Sequence, residues 1–356
     1  MSARAERVEA ALAEAGVDLL LVTNLTNVRY LTGFTGSNGM AVVGPGMRRF
    51  ITDFRYVTQA EREVPDFERE RAPQDFLTAL NDGWPDGALR LGFDDEHVSV
   101  KQRARLGEIV PDRVELVAAG GVVEGQRARK DPGELDRIRS AAELADAALQ
   151  AVLERGVVGR TEADVALDLE FEMRRGGAEA LAFPPIVAAG EHGALPHAEP
   201  RAVPIARDTL LTVDWGAQLD GYCSDCTRTF ATGELPEDLA ALYATVLEAQ
   251  EAALAAVRPG PAGREVDAVA RDIIDAAGHG DHFGHGLGHG VGLEVHERPR
   301  LSKTGDAPLE RGNVVTVEPG IYVPGRSGAR IEDLVAVTAD GHDVFSTLPK
   351  TLTVVD

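Results

Sequence analysis

The sequence predicts an α/β protein of two domains, and three observations carry that expectation. Residues 1–125 alternate helix and strand signals, a short polar stretch follows, and beyond it two similar helix-pair segments each lead into strand-rich sequence. With 356 residues, 44% hydrophobic and 26% charged, the chain is long enough for two buried cores and has an ordinary globular composition.

Taken in order, residues 6–15 form an amphipathic helical stretch, the run DLLLV at 18–22 is strand-like, and GFTGSNG at 33–39 is a Gly-rich turn. AVVG at 41–44 and FITDF at 50–54 are further strands, completing the signals of an N-terminal α/β domain. The polar segment 124–132, EGQRARKDP, ends in Asp-Pro and places the boundary, giving domains 1–125 and 126–356. A long helix follows, with Leu135, Ile138, Ala142, Ala145, Leu149 and Val152 on one face. The connection at 155–166, RGVVGRTEADVA, is echoed by RPGPAGREVDAVA at 258–270, an internal repeat of about 100 residues.

Lys plus Arg number 36 against 58 Asp plus Glu, a formal charge of -22, so the basic footprint of a nucleic-acid binder is missing. No run approaches the roughly 18 apolar residues of a membrane span, and the N-terminus lacks the apolar core of a signal peptide. A cytoplasmic protein with no membrane and no nucleic-acid partner is therefore expected. Cys223 and Cys226 form C-x-x-C without a second pair to complete a zinc site, and are read as small strand residues flanking Asp225.

Four acids and one histidine stand in segments whose neighbours would bury them: Asp214 in LLTVDWGA, Asp225 in GYCSDCTRTF, His289 in HGLGHGVGLEVHE, Glu318 in VVTVEPGIY and Glu332 in GARIEDLV. A buried carboxylate protonates or finds a cation. At an effective dielectric of about 20, two carboxylates about 4 Å apart repel by roughly 4 kcal/mol, whereas two divalent cations balance four negative charges. The sequence 210–230 reads as strands joined around Leu219-Asp220-Gly221, which lets Asp214 and Asp225 share a face of neighbouring antiparallel strands. Glu318 and Glu332 also lie in strand-like runs, and glycine at every second position of 284–292 allows close backbone approach around His289.

An oxygen-rich set with one imidazole suits manganese, cobalt, iron or zinc. Two such ions would acidify a water and polarise a carbonyl, so hydrolysis is the natural chemistry. His197, His285 and His296 are candidates for hydrogen bonds to substrate and to a developing oxyanion. Arg300 in HERPRLS could grip a carboxylate in a bidentate fork.

These segments closely resemble the creatinase/methionine aminopeptidase-like metallopeptidases, family M24, in the branch of Xaa-Pro dipeptidases (prolidases) and Xaa-Pro aminopeptidases (aminopeptidase P). VDWGAQLDGYCSDCTRTF, HGLGHGVGLEVHE, VVTVEPGIY and GARIEDLV match its ligand segments in order, while NVRYLTGFTGSNG and ITDFRYVTQAEREV resemble its creatinase-type N-terminal domain.

The resemblance implies a pita-bread catalytic domain behind the N-terminal α/β domain, a homodimer, and two divalent ions per subunit, manganese first with cobalt or zinc as alternatives. It assigns Asp214 to one metal, Asp225 and Glu332 to both, and His289 and Glu318 to the other, with Glu318 also a proton shuttle. His296 and His197 would hold the scissile carbonyl and stabilise the tetrahedral intermediate. His285 would line the pocket, and Arg300, Tyr322 and Arg330 would complete the substrate-binding set. One departure is visible: many relatives carry His-His after the proline, and here the run is Pro196-His197-Ala198.

The implied activity is that of a metallo-exopeptidase removing the residue in front of a proline at position two. That bond is a tertiary amide without an N–H, so ring shape and carbonyl position must carry recognition. Dipeptidase and aminopeptidase P both remain open, as do a methionine aminopeptidase and a catalytically inactive peptide-binding protein.

Overall fold

The structure, a computed structural model, describes residues 2–356, and these fall into two units with the break after Arg127. In the first unit, α1 (Ser2–Ala11) starts and ends earlier than the stretch expected at 6–15. Its last expected residues form a turn that closes on Gly16 at φ 67°. The strands are β1 (Leu19–Val22), β2 (Gly39–Gly44), β3 (Met47–Thr52), β4 (Glu68–Arg71), β5 (Leu89–Phe93) and β6 (Val114–Ala118). Between and after them run α2 (Leu25–Thr32), α3 (Val57–Glu63), α4 (Val100–Ile109) and α5 (Val122–Arg127).

The six strands form one mixed sheet in the order β4-β3-β2-β1-β5-β6. Central β1 pairs antiparallel with β2 and parallel with β5. It is covered on both faces, which is why it reads LLLV without polar alternation. Asn24 caps α2 by accepting from the Thr26 and Asn27 N–H groups, and Gly33 ends it at φ 83°, a left-handed conformation that favours glycine.

In the second unit, α6 (Pro132–Leu153) opens with a reciprocal capping box between Asp131 and Glu134 and Pro132 in its first turn. Its buried face contains Ile138, Ala142, Ala145, Leu149 and Val152. After α7 (Glu162–Arg175) come β7 (Ala180–Leu181), β8 (Ile186–Ala189), β9 (Leu210–Trp215), β10 (Ala217–Leu219), β11 (Tyr222–Cys223) and β12 (Cys226–Ala231). The second half repeats the plan with α8 (Glu237–Ala256), α9 (Gly263–Ala276), β13 (Gly288–Gly290), β14 (Glu297–Leu301) and β15 (Val314–Val317). It closes with β16 (Gly320–Val323), β17 (Ser327–Arg330), β18 (Asp333–Val337) and β19 (His342–Val344).

The repeat read from the sequence is visible in the topology. Strands β8, β9 and β12 form an antiparallel sheet with β9 central, and β13, β15 and β18 form the same arrangement with β15 central. Thr161 bridges Pro204 just before α7, and Ala262 bridges Pro308 just before α9; the two positions are 262 − 161 = 101 residues apart. Each half has its own core. Leu149, Val165, Leu169, Val213 and Trp215 pack in the first, and Val246, Val266, Ile274, Val315 and Val335 in the second.

Strand alternation then sets the site. On β9, Leu211, Val213 and Trp215 enter the core, so Thr212 and Asp214 point to the other face. On β15, Val315 and Val317 enter the core and Thr316 turns away from it, in line with Glu318. Among the described residues no helix is long and apolar enough to cross a membrane.

Candidate metal centre

The five expected ligands come together on the faces of the two repeat sheets turned away from their cores. Asp214 is on β9, opposite Thr227 of β12 and Ile186 of β8. The other three acids stand at strand ends rather than inside strands: Asp225 just before β12, Glu318 just after β15, and Glu332 between β17 and β18. The cause is local. Pro319 has no N–H to continue the β15 ladder, which stops at the pair Val317 and Asp333. Glu332 instead donates its N–H to the Thr227 carbonyl at 3.1 Å, joining the two halves at the site.

Asp214, Asp225 and Glu332 each present an oxygen within 4.8 Å of the others. His289 Nε2 lies 3.6 Å from Asp225 Oδ2 and 3.3 Å from Glu318 Oε1. His289 belongs to a strand, β13, and not to a loop. Its flanking glycines are required by strand packing as much as by any ligand, because a Cβ at Gly288 would collide with the Thr316 carbonyl oxygen and one at Gly290 with that of Arg298.

Hydrogen bonds around the acids leave one direction open. Arg330 Nη2 donates to Asp214 Oδ2 at 2.6 Å, and Thr227 Oγ1 donates to Glu332 Oε2 at 2.7 Å. The remaining oxygens, Asp214 Oδ1 and Glu332 Oε1, are buried without a hydrogen-bond partner. The His289 Nδ1 proton points to the Gly290 carbonyl at 3.2 Å, which turns Nε2 toward the carboxylates. Two orphaned carboxyl oxygens in a cluster of three acids, with an imidazole nitrogen within 3.6 Å of Asp225, are an arrangement a divalent cation would satisfy, so the residues present fit the ions expected from the sequence.

Electrostatics agree. Burial, and then the neighbouring Glu332, push the Asp225 carboxyl well above the usual carboxylate range. Burial followed by Glu318 does the same to Glu332, and burial raises Asp214 against the opposing pull of Arg330. Glu318 goes the other way. Burial alone would raise it, but hydrogen bonding and charge attraction from His289 bring it down to about 2. Burial lowers His296, and His289 beside it lowers it further. Three acids that resist ionisation in one place call for compensating positive charge.

The centre opens into a pocket of about 510 Å³, lined by Phe183, Pro184, Pro185, Pro196, His197, His296 and Arg300 together with the acids. This is the size of a small-ligand site. The His289 and His296 rings are 4.3 Å apart. Glu297, next to His296, is buried against Lys130 with Nζ to Oε2 at 3.1 Å. Arg300 sits directly across the strand pair from His289, is exposed, and makes no ion pair among the described residues.

Two of the residues expected to support the substrate site stand back from the pocket. Tyr322 and Arg330 do not line the pocket but lie behind Asp214. Arg330 spends its guanidinium on Asp214, Tyr322 Oη at 2.8 Å, Thr227 Oγ1 at 2.9 Å and the Pro196 carbonyl at 3.2 Å. His285 does line the pocket, yet both of its nitrogens are engaged within the protein. Nδ1 donates to the Gly286 carbonyl at 2.7 Å. Tyr322 Oη, already accepting from Arg330, donates to Nε2 at 2.9 Å.

Sequence reasoning passed over Thr227, Thr316 and Arg228. Thr316 Oγ1 donates to Glu318 Oε1 at 3.0 Å and accepts from His289 N–H at 3.0 Å. A signal existed, since Thr227 is two residues after Asp225 and Thr316 two before Glu318, the strand period that shares a face. Arg228, fully buried on the opposite face, pairs with Asp333 at 2.9 Å and also donates to the Glu332 carbonyl.

An acidic, imidazole-bearing centre where two repeated halves meet, opening into a small-ligand pocket, has the residues that could hold metal ions beside a small ligand. The chain belongs to metallopeptidase family M24, whose model matches residues 136–339, and residues 4–129 match the creatinase/prolidase N-terminal domain. It is therefore a peptidase-family hydrolase with both domain types expected from the sequence. An uncharacterised peptidase of Bacillus subtilis is 42% identical, with 98% of each chain covered. The solved Xaa-Pro dipeptidase from Bacillus anthracis superposes with a TM-score of 0.95 at 38% identity, covering 99% of each chain. The X-Pro aminopeptidase from Thermotoga maritima superposes at 0.89 and 36%, again with 99% of each covered.

Proposed function

We propose that the protein is a dinuclear-metal-dependent Xaa-Pro peptidase, and that dipeptides are its first substrates. The observation that carries this reading is the pair of partnerless buried oxygens, Asp214 Oδ1 and Glu332 Oε1, in an acid cluster that His289 and Glu318 complete, lining a pocket with an unpaired arginine on its wall. The relatives named as acting on Xaa-Pro bonds support the substrate class. Asp214, Asp225, His289, Glu318 and Glu332 would hold two divalent ions, manganese first. When bound, the ions would supply Lewis-acid polarisation of a carbonyl and acidify a water.

The chain's own residues do the rest. Glu318 takes a proton from the attacking water at its carboxylate and returns it to the prolyl nitrogen as the scissile C–N bond breaks, so that this nitrogen leaves as the amine of the product. His296, whose burial favours the neutral ring, offers an N–H to the oxyanion, and His197, lining the same pocket, supplies a second donor. Phe183 and the prolines of the pocket wall exclude water and fit the ring of a substrate proline. Arg300 pairs with the free carboxylate of a dipeptide, because its guanidinium has no carboxylate of its own and matches one in a bidentate fork. Cytoplasmic location and a homodimer belong to the same proposal.

The aminopeptidase P reading stands second, favoured by the likeness to the Thermotoga enzyme. Hydrolysis of Ala-Pro and Ala-Pro-Ala by metal-stripped protein, with and without added manganese, separates the readings. Metal-dependent cleavage of Ala-Pro in preference to the tripeptide is expected. Preference for the tripeptide would shift the assignment to aminopeptidase P, and cleavage of neither would remove the peptidase reading for this chain.

A further inference from the structure

We infer that Glu162 is a positioning residue that sets the placement of His197 by clamping both feet of the segment that carries it. The inference rests on His197 contacting substrate, as proposed above.

Glu162 is the first residue of α7, and its side chain is 1% exposed. A glutamate there is not needed as a helix cap, since Thr161 accepts the N–H of Asp164. The Glu162 carboxylate is bound instead by residues of the segment 189–201. Oε1 accepts from the Ala189 N–H at 3.0 Å and from Arg201 Nη2 at 3.1 Å. Oε2 accepts from the Arg201 N–H at 3.0 Å, from Arg201 Nε at 3.1 Å, and from His192 Nδ1 at 2.9 Å. One carboxylate thus ties the last residue of β8 to a residue twelve positions later, a separation of 201 − 189 = 12. It does so with charge-assisted bonds in a buried place.

The feet also have backbone supports, Ala189 pairing with Leu211 of β9 and the Ala163 N–H donating to the Arg201 carbonyl at 3.0 Å, but the stretch between them has few. After the 3₁₀ turn Gly190–Ala194 it holds no regular element until β9. Arg330 holds the Pro196 carbonyl at 3.2 Å, and Gly193 lies so close to Gly328 that a Cβ there would strike the Gly193 oxygen. His197 projects beyond these contacts to the pocket wall, with Ala198, Glu199 and Pro200 beside it. Its position depends on where the feet are held, and beside these backbone pairings Glu162 is the side chain that reaches both feet at once. Loss of the clamp displaces a substrate-contacting group without touching it, an error that can cost about 100-fold when it reaches about 1 Å.

The test is a double-mutant cycle of Glu162→Gln and His197→Ala in the metal-loaded enzyme, read as kcat for Ala-Pro, with amide hydrogen exchange measured on the same proteins. Gln keeps the shape but presents an NH₂ toward donors, so Glu162→Gln is expected to lower kcat by about 10- to 100-fold. In the His197→Ala background it should bring no further loss, because its effect runs through that histidine. The Ala189 and Arg201 amides should exchange at least tenfold faster while those of β9 keep their rates. A full additive loss in the double variant would mean a merely structural role and overturn the inference. So would unchanged exchange at residues 189–201, whatever the activity. Should His197→Ala hydrolyse Ala-Pro as well as the parent, the proposed role of His197 falls and this inference with it. A parent that binds metal but cleaves neither peptide would identify the functional reading as the failure, with the exchange arm still reporting on the clamp.

Discussion

Thr227 shows how much the centre depends on a residue that is not among its expected ligands. Its hydroxyl accepts from Arg330 Nε and donates to Glu332 Oε2, so one oxygen relays the orientation of a buried guanidinium to a buried carboxylate. Thr227→Val keeps the shape and removes both bonds. Metal affinity, followed by titration of the stripped protein, should fall about 10- to 100-fold with the fold retained. Glu162 gives a pH signature at the same scale. Burial alone would raise its carboxyl, but the Arg201 hydrogen bonds and the Ala189 and Arg201 amides hold it below its ordinary 4.5. A folded value below the unfolded one contributes stability that is present above about pH 4.5 and lost as pH falls through the lower folded value. Denaturant midpoints of the parent and of Glu162→Gln should therefore differ near neutrality and converge as the pH is lowered into the acid range.

At the scale of elements, β13 is built for crowding. Gly288→Ala would drive a methyl into the Thr316 carbonyl of the neighbouring segment, where backbone and not a flexible side chain must yield. A loss of about 1–3 kcal/mol in unfolding free energy is expected, accompanied by weaker metal binding because His289 shares the strand. At the start of α6, Asp131→Ala removes the N-cap half of a reciprocal box, and a loss of about 1 kcal/mol is expected by the same measurement. That helix start was legible in the sequence as Asp-Pro with Glu three residues after the aspartate. The glycine-rich turn that begins at Gly33 was equally plain, but the helix α2 that it ends was not read. The end of α1 was not, because the residues after Ala11 remain good helix formers, and what stops the helix is the turn into β1.

For the molecule as a whole, the two-domain α/β plan and the repeat within the second unit were readable because strand runs, glycines and helix faces are local signals. The convergence of Asp214, Asp225, His289, Glu318 and Glu332 was readable for a further reason: each carboxylate interrupts a segment too apolar to hold a charge without compensation. What escaped notice was long-range. Nothing in the sequence near Arg330 says that its guanidinium turns back to Asp214, 116 residues earlier, or that Lys130 is buried against Glu297, 167 residues later. Arg330 and Tyr322 were expected as supports of the substrate site, and the hydrogen bonds that show what Arg330 supports, Asp214 foremost, were not legible. The internal duplication explains the meeting of distant segments, since each half contributes an antiparallel sheet, three strands in the first and five in the second, with acids on or at the ends of its strands, and Thr227 and Glu332 join those halves by a backbone hydrogen bond.

The most direct test of the central claim is metal uptake by the stripped protein, measured as manganese bound per chain at equilibrium for the parent and for Asp225→Asn. The parent should take up two ions per chain, and Asp225→Asn, which weakens the carboxylate expected to serve both, should fail to hold the pair and lose hydrolysis of Ala-Pro. A parent that binds no ion, or an Asp225→Asn variant that binds two as tightly and cleaves as fast, would contradict the assignment of this acidic cluster as a metal centre.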